Sequence, residues 1–131
     1  MIPVTRVALL TALLAFITAN GMGLSVGLGW LSYIWKPAHA HLNLLGFVTL
    51  MIYGVAYHAV PRFHGVPFKR PGLALAQVIC HIVGMSGMVL YFGFRPDRVW
   101  LGIFGGLTWA MSILFTVLVA EILLTTRKVH R

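Results

Sequence analysis

Four apolar runs, at roughly 7–34, 39–61, 72–94 and 99–124, take up most of this chain. Each reaches the ~20 residues a helix needs to cross about 30 Å of hydrocarbon. A backbone at that depth finds no water, so it must satisfy its own N–H and C=O groups. The fold class that follows is an all-α integral membrane protein with four transmembrane helices. The chain reads as a single domain over 1–131 whose main surroundings are the lipid bilayer. Composition points the same way. Of 131 residues, 60% are hydrophobic and 9% charged, and the mean hydropathy is +0.92. A soluble domain of this size could not bury that much apolar surface.

The breaks between runs carry turn residues and charge. Lys36-Pro37 separates the first two runs, and Pro37 suits a helix start. Residues 61–71, from Pro61 through Lys69-Arg70-Pro71, form the second break, and Arg95-Pro96-Asp97-Arg98 the third. The net charge of +8 could suggest a nucleic-acid partner. The basic residues, however, sit between and after the apolar runs, as the topology rule for membrane proteins requires. Arg6, Arg62, Lys69, Arg70, Arg127, Lys128 and Arg131 fall on one side. Lys36, Arg95 and Arg98 fall on the other. Seven against three places both termini in the cytoplasm. Trp30, Tyr33, Trp35 and Trp100 then form an aromatic belt at the outer face. Residues 1–20 have the outline of a leader but read as a retained membrane helix. The lone Cys80 permits no internal disulfide. Gly23-x-x-x-Gly27 and Gly102-x-x-x-Gly106 allow close backbone approach, within a subunit or between subunits.

Histidines are the chemically informative residues. Ionisable groups inside a membrane are costly and usually retained for function, and imidazole is a common axial ligand of haem iron. His39 and His41 stand two apart, about 200° on a helix, and so point to nearly opposite flanks. They cannot chelate one ion from within a helix, but they can serve two sites. The alternative is a pair of interfacial histidines bonded to water or headgroups. His58 lies about 25 Å from His41 along a helix axis, near the cytoplasmic face with His64, and both suit interfacial positions. His81 is mid-membrane near Met85 and Met88. It either ligates a second cofactor or hydrogen-bonds a backbone carbonyl, and it lies on the order of 15 Å from His41's level. Glu121 lies close in sequence to Arg127 and Lys128, so snorkelling toward them is expected, with proton uptake as the alternative. Arg95 and Arg98 share the face of His39 and His41. They serve as interfacial anchors or as forks for the carboxylates of haem propionates.

His39-x-His41-x-x-x-x-Gly46, continuing to Gly54, Tyr57 and Val60-Pro61-Arg62, resembles the tenth transmembrane helix of the haem-copper oxidase catalytic subunit. The likeness is to the branch containing the C-type oxidases and nitric oxide reductases. It covers about 24 residues strongly and the rest by topology and loop charge. It implies that His39 faces a high-spin-type site and His41 a low-spin haem b, with Gly46 and Gly54 on the cofactor-binding helix and Arg95 and Arg98 near the propionates. The family's copper ligands, including an adjacent histidine pair, have no counterpart here, nor has its modified tyrosine. A complete haem-copper centre in this chain alone is therefore not expected. The family's low-spin haem also has a ligand on a helix eight positions earlier. A four-helix unit could recreate that site by associating with copies of itself, as a dimer or trimer.

The leading expectation is a haem b-binding cytochrome that transfers single electrons, with a quinol or a cytochrome as redox partner. A gas-binding sensor or detoxification protein with one haem face open is the second. An accessory or assembly subunit of a respiratory complex is the third. A copper site built from His39, His41 and Met22 is the fourth, disfavoured by the opposed histidines unless the pair lies in a loop.

Overall fold

The structure, a computed structural model, describes residues 2–125. Among them every regular element is helical, and four helices are long and apolar enough to cross a membrane. They are α1 (Pro3–Gly27), α2 (Tyr33–Phe63), α3 (Pro71–Phe94) and α4 (Arg98–Leu124). Such a chain is consistent with a multi-pass membrane protein.

The first two spans depart from the boundaries read in sequence. α1 stops at Gly27 rather than near residue 34, and α2 starts at Tyr33, ahead of Pro37. The break is a tight reversal over residues 28–32. Gly29 adopts a left-handed φ of 74°, which glycine takes without steric cost. The amides of Trp30 and Leu31 both return to the Ser25 carbonyl. The Ser32 hydroxyl then accepts from the Ile34 amide at 3.4 Å and starts α2. Pro37 lies in the first α-helical turn, where its missing N–H costs little. At the other end α2 runs through Pro61 to Phe63. It stops where Gly65 turns left-handed, with φ 61°.

α2 is not one uniform helix. A 3₁₀ turn, Tyr33–Trp35, leads into α-helix Lys36–His41. A π-helical stretch, Leu42–Thr49, follows, and α-helix resumes over Leu50–Phe63. Two side chains take carbonyls of the π stretch. Thr49 Oγ1 donates to the Leu44 carbonyl at 2.9 Å, and His81 Nε2 lies 3.2 Å from the Leu45 carbonyl. Side chains inserted into the i→i−4 ladder are a recognised cause of such widening.

α1 packs along the length of α2, and α3 packs along α4. α2 and α3 form the middle of the bundle, with α1 and α4 on its flanks. α1 offers its neighbours a narrow face: Val4, Ala8, Ala12, Ala15 and Ala19 are all buried. Small residues at this spacing let α2 approach closely. Val4, Ala8 and Ala12 share one core cluster with Leu50, Tyr53, Tyr57, Ala74, Val78 and Leu118. Large apolar side chains elsewhere point outward, Ile17 among them at 70% exposure. Against hydrocarbon that surface needs no cover.

The core also contains polar links between helices. The Tyr57 hydroxyl donates to Gln77 Oε1 at 3.0 Å, and Gln77 Nε2 donates to the Met111 carbonyl at 2.9 Å. One amide thus ties α2, α3 and α4 together. Gln77→Ala leaves the Tyr57 hydroxyl buried without a partner. It is expected to cost about 1–3 kcal/mol, read as a lower midpoint in a denaturing-detergent titration. An unchanged midpoint would remove this bond from the account of stability.

Candidate functional site

His39 and His41 are placed by the short α-helical piece that precedes the π stretch. Two positions of separation turn them to different flanks of α2, as the spacing requires. His39 faces α1. Its Nδ1 lies 2.8 Å from the Ala19 carbonyl, and its ring lies against Gly23, where an added Cβ would collide with it. His41 faces α3 and α4. Its Nδ1 lies 2.8 Å from the carbonyl of Pro37, and its ring packs on Phe92 with centroids 4.6 Å apart.

A carbonyl can only accept, so Nδ1 carries the hydrogen in both rings. In the neutral imidazole Nε2 then holds the lone pair. Metal-binding histidines commonly have this arrangement, one nitrogen donating to a carbonyl and the other directed at the metal. Each histidine lines its own cleft. His39 shares a cavity of about 240 Å³ with Gly23, Val26, Gly27, Tyr33 and Lys36. His41 lies in a side groove of about 300 Å³ whose walls include Leu44, Leu45, Met88, Thr108, Trp109 and Ser112. Because the pair lies within a helix and opens to separate clefts, it does not converge on one ion. The copper reading from His39, His41 and Met22 loses its geometry. Among the described residues no group of three or more His, Cys, Asp or Glu comes together.

The other residues singled out in the sequence fall as follows. Gly46 and Gly54 sit on the α1 side of α2. Both lie in the α1–α2 contact, where a Cβ on Gly46 would press on Ala15 and one on Gly54 on Leu9. They serve helix packing and do not line the His41 groove. Gly23 receives the His39 ring, whereas Gly27, Gly102 and Gly106 face open space. Arg95 and Arg98 are exposed at the same end of the bundle as His41 but outside its groove. Asp97 between them caps α4, accepting from the Val99 amide at 2.9 Å.

His81 is fully buried, and both its ring nitrogens are used within the protein. Nε2 meets the Leu45 carbonyl, and Nδ1 lies 3.4 Å from the Tyr53 hydroxyl. Of the two roles considered, hydrogen bonding to a carbonyl is the one displayed. Tyr53 continues to Ser112 Oγ at 3.0 Å, and Ser112 lies on the groove wall. His64 Nδ1 bonds back to the Val60 carbonyl at 3.2 Å. Glu121 pairs with Arg70 at 3.5 Å, and Arg127 and Lys128, near it in sequence, lie outside the described residues.

Sequence reasoning missed Tyr53, Thr108, Ser112, Trp109 and Phe92. The available signal for the first three was a polar atom inside an apolar span. Trp109 and Phe92 carried none, because apolar residues in an apolar run are ordinary. Comparison with protein-family models, curated proteins and solved structures returns no match for this chain.

The packing role of Gly54 is open to test. Gly54→Val is expected to destabilise the bundle by about 1–3 kcal/mol through overpacking, equally in protein prepared with and without added haem. A loss confined to the haem-treated sample would return Gly54 to the cofactor site.

Proposed function

We propose that this chain is a haem b-binding cytochrome of a prokaryotic inner membrane, with His41 as an axial ligand. The observation that carries the reading is the orientation of His41: Nδ1 tied to a carbonyl, Nε2 left free, and the ring on the wall of an otherwise largely apolar groove. The donor set suits one face of a haem. The Pro37 carbonyl fixes the tautomer and makes Nε2 a better electron donor. Phe92 holds the plane of the ring. Leu44, Leu45, Met88 and Trp109 keep water out, which is one of the levers a protein has over a haem's potential. Arg95 and Arg98, at the same end of the bundle, supply guanidinium for propionates.

When bound between two imidazoles, haem iron passes single electrons and has no open coordination position. Among the described residues no second histidine lines this groove. The second ligand is therefore assigned to another copy of the chain, in a dimer or trimer. Positive charge at the Arg62–Arg70 end supports a cytoplasmic location for that end and for both termini. A quinol and an outer-face acceptor are the partners this arrangement suits.

The lone histidine in the groove also favours a second reading, in which one haem face stays open to nitric oxide, oxygen or carbon monoxide. The test is a reduced-minus-oxidised visible spectrum of the purified protein beside His41→Ala. A sharp alpha band is expected in the wild type and none in the variant, with no shift on adding carbon monoxide. A carbon monoxide shift would select the gas-binding reading. A colourless wild type after haem addition would overturn both and leave an accessory subunit. Cysteine labelling near residue 66 from the cytoplasmic side only is expected, and labelling from the outer side only would invert the topology.

A further inference from the structure

The end of the bundle remote from His41 has a cavity of its own. It measures about 480 Å³, and its lining includes Pro3, His58, Pro61, Arg62, Val66 and Phe68. His58 and Arg62 stand four apart on α2, one helical turn along the same face. The remaining walls are mostly apolar, and Phe68 is stacked on Tyr57 with centroids 5.3 Å apart.

Among the described residues Arg62 has no carboxylate partner. The chain contains two acids. Glu121 is held by Arg70, and Asp97 caps α4 at the opposite end. Pro61 and Val66 offer nothing to compensate a guanidinium. The cavity thus combines a cation, a second donor and greasy walls at the level where α2 ends.

A second feature lies beside it on the same helix. A groove of about 440 Å³ runs along the outward side of α2 from Met51 to Phe63, past Ile52, Val55 and Ala59. All its lining residues are apolar. Twelve residue steps span about 18 Å, against about 15 Å for half of a bilayer's hydrocarbon core. The groove ends at Phe63, next in sequence to Arg62.

We propose that these two features together hold one anionic phospholipid, its phosphate at Arg62 and His58 and an acyl chain along Met51–Phe63. A free phosphate would use the cavity and leave the groove without a purpose. A zwitterionic lipid would bring an amine cation into a cavity that already has one. Basic pockets beside membrane helices on the cytoplasmic side bind anionic headgroups for this reason. The assignment rests on the multi-pass reading but is independent of haem.

The test is native mass spectrometry of the full chain in mild detergent with defined lipids. Wild type is expected to retain phosphatidylglycerol about fivefold over phosphatidylcholine, the ratio that corresponds to about 1 kcal/mol per basic residue near the surface. Arg62→Gln removes that preference. Ala59→Trp, on the outward groove and away from the core, lowers retention of both lipids. Equal retention of the two lipids by wild type would overturn the proposal. So would an unchanged preference in Arg62→Gln, or displacement of phosphatidylglycerol by millimolar inorganic phosphate. Circular dichroism separates loss of fold from loss of site, and if Arg62→Gln does not fold, Ala59→Trp decides.

Discussion

A polar group in hydrocarbon has no water to turn to, and most of this structure follows from where those groups find partners. The outward-facing ones turn back on their own helix. Thr18 donates to the Leu14 carbonyl, Asn20 to Phe16, Ser25 to Gly21 and Thr116 to Ser112, each across four residues. Bonds of this kind satisfy the side chain without recruiting a neighbour. Several of the inward-facing ones reach across, although Thr108 bonds back to the Phe104 carbonyl of its own helix. Gln77 joins three helices, and Tyr53 lies between His81 and Ser112. Local bonds and cross-helix bonds thus divide these polar residues between them.

His39 and His41 divide in the same way. His41 bonds within its own helix, and His39 bonds across to α1. In both cases the bond uses Nδ1 and leaves Nε2 for something else. The π stretch that follows is tied into the same logic. With the Leu44 and Leu45 carbonyls engaged by Thr49 and His81, the ladder widens directly after His41. Leu44 and Leu45 are also walls of the His41 groove, together with Thr108 and Ser112. The groove is therefore built on the hydrogen-bonded centre of the bundle, and its shape is set by buried helices rather than by a loop. Irregular helical turns of this sort often occur at functional sites.

The four spans could be read from the sequence because length and apolarity are decisive in a bilayer. The opposed directions of His39 and His41 could be read because a helix turns by a fixed angle per residue. The α1 boundary could not be read from hydropathy. Leu28, Trp30 and Leu31 extend the apolar run through a reversal that depends on the backbone angle of Gly29. Nor could the faces of Gly46 and Gly54. A resemblance transfers positions along a helix, whereas Leu9 and Ala15, which lie against these glycines, belong to another helix. Contacts between distant positions were hidden for the same reason. Glu121 finds Arg70, and Gln77 finds Tyr57 and Met111, through packing that no local pattern encodes.

Exposure does not separate interfaces from lipid-facing surface in such a chain. Trp109 is 70% exposed beside the groove, and an apolar ring against acyl chains costs nothing that a protein partner would recover. Polarity gives the better criterion. The His41 groove opens sideways while its lining includes an imidazole with a free nitrogen and the residues Thr108 and Ser112. Acyl chains filling it would leave that nitrogen without a partner, at a cost of several kcal/mol on hydrocarbon scales. An occupant that satisfies it must combine a flat or apolar body with at least one group that bonds or coordinates Nε2. The haem proposed above, shared with a second copy, would meet both requirements. The His58–Arg62 cavity has a different balance, a cation beside apolar walls, so the two ends of α2 offer chemically distinct surroundings.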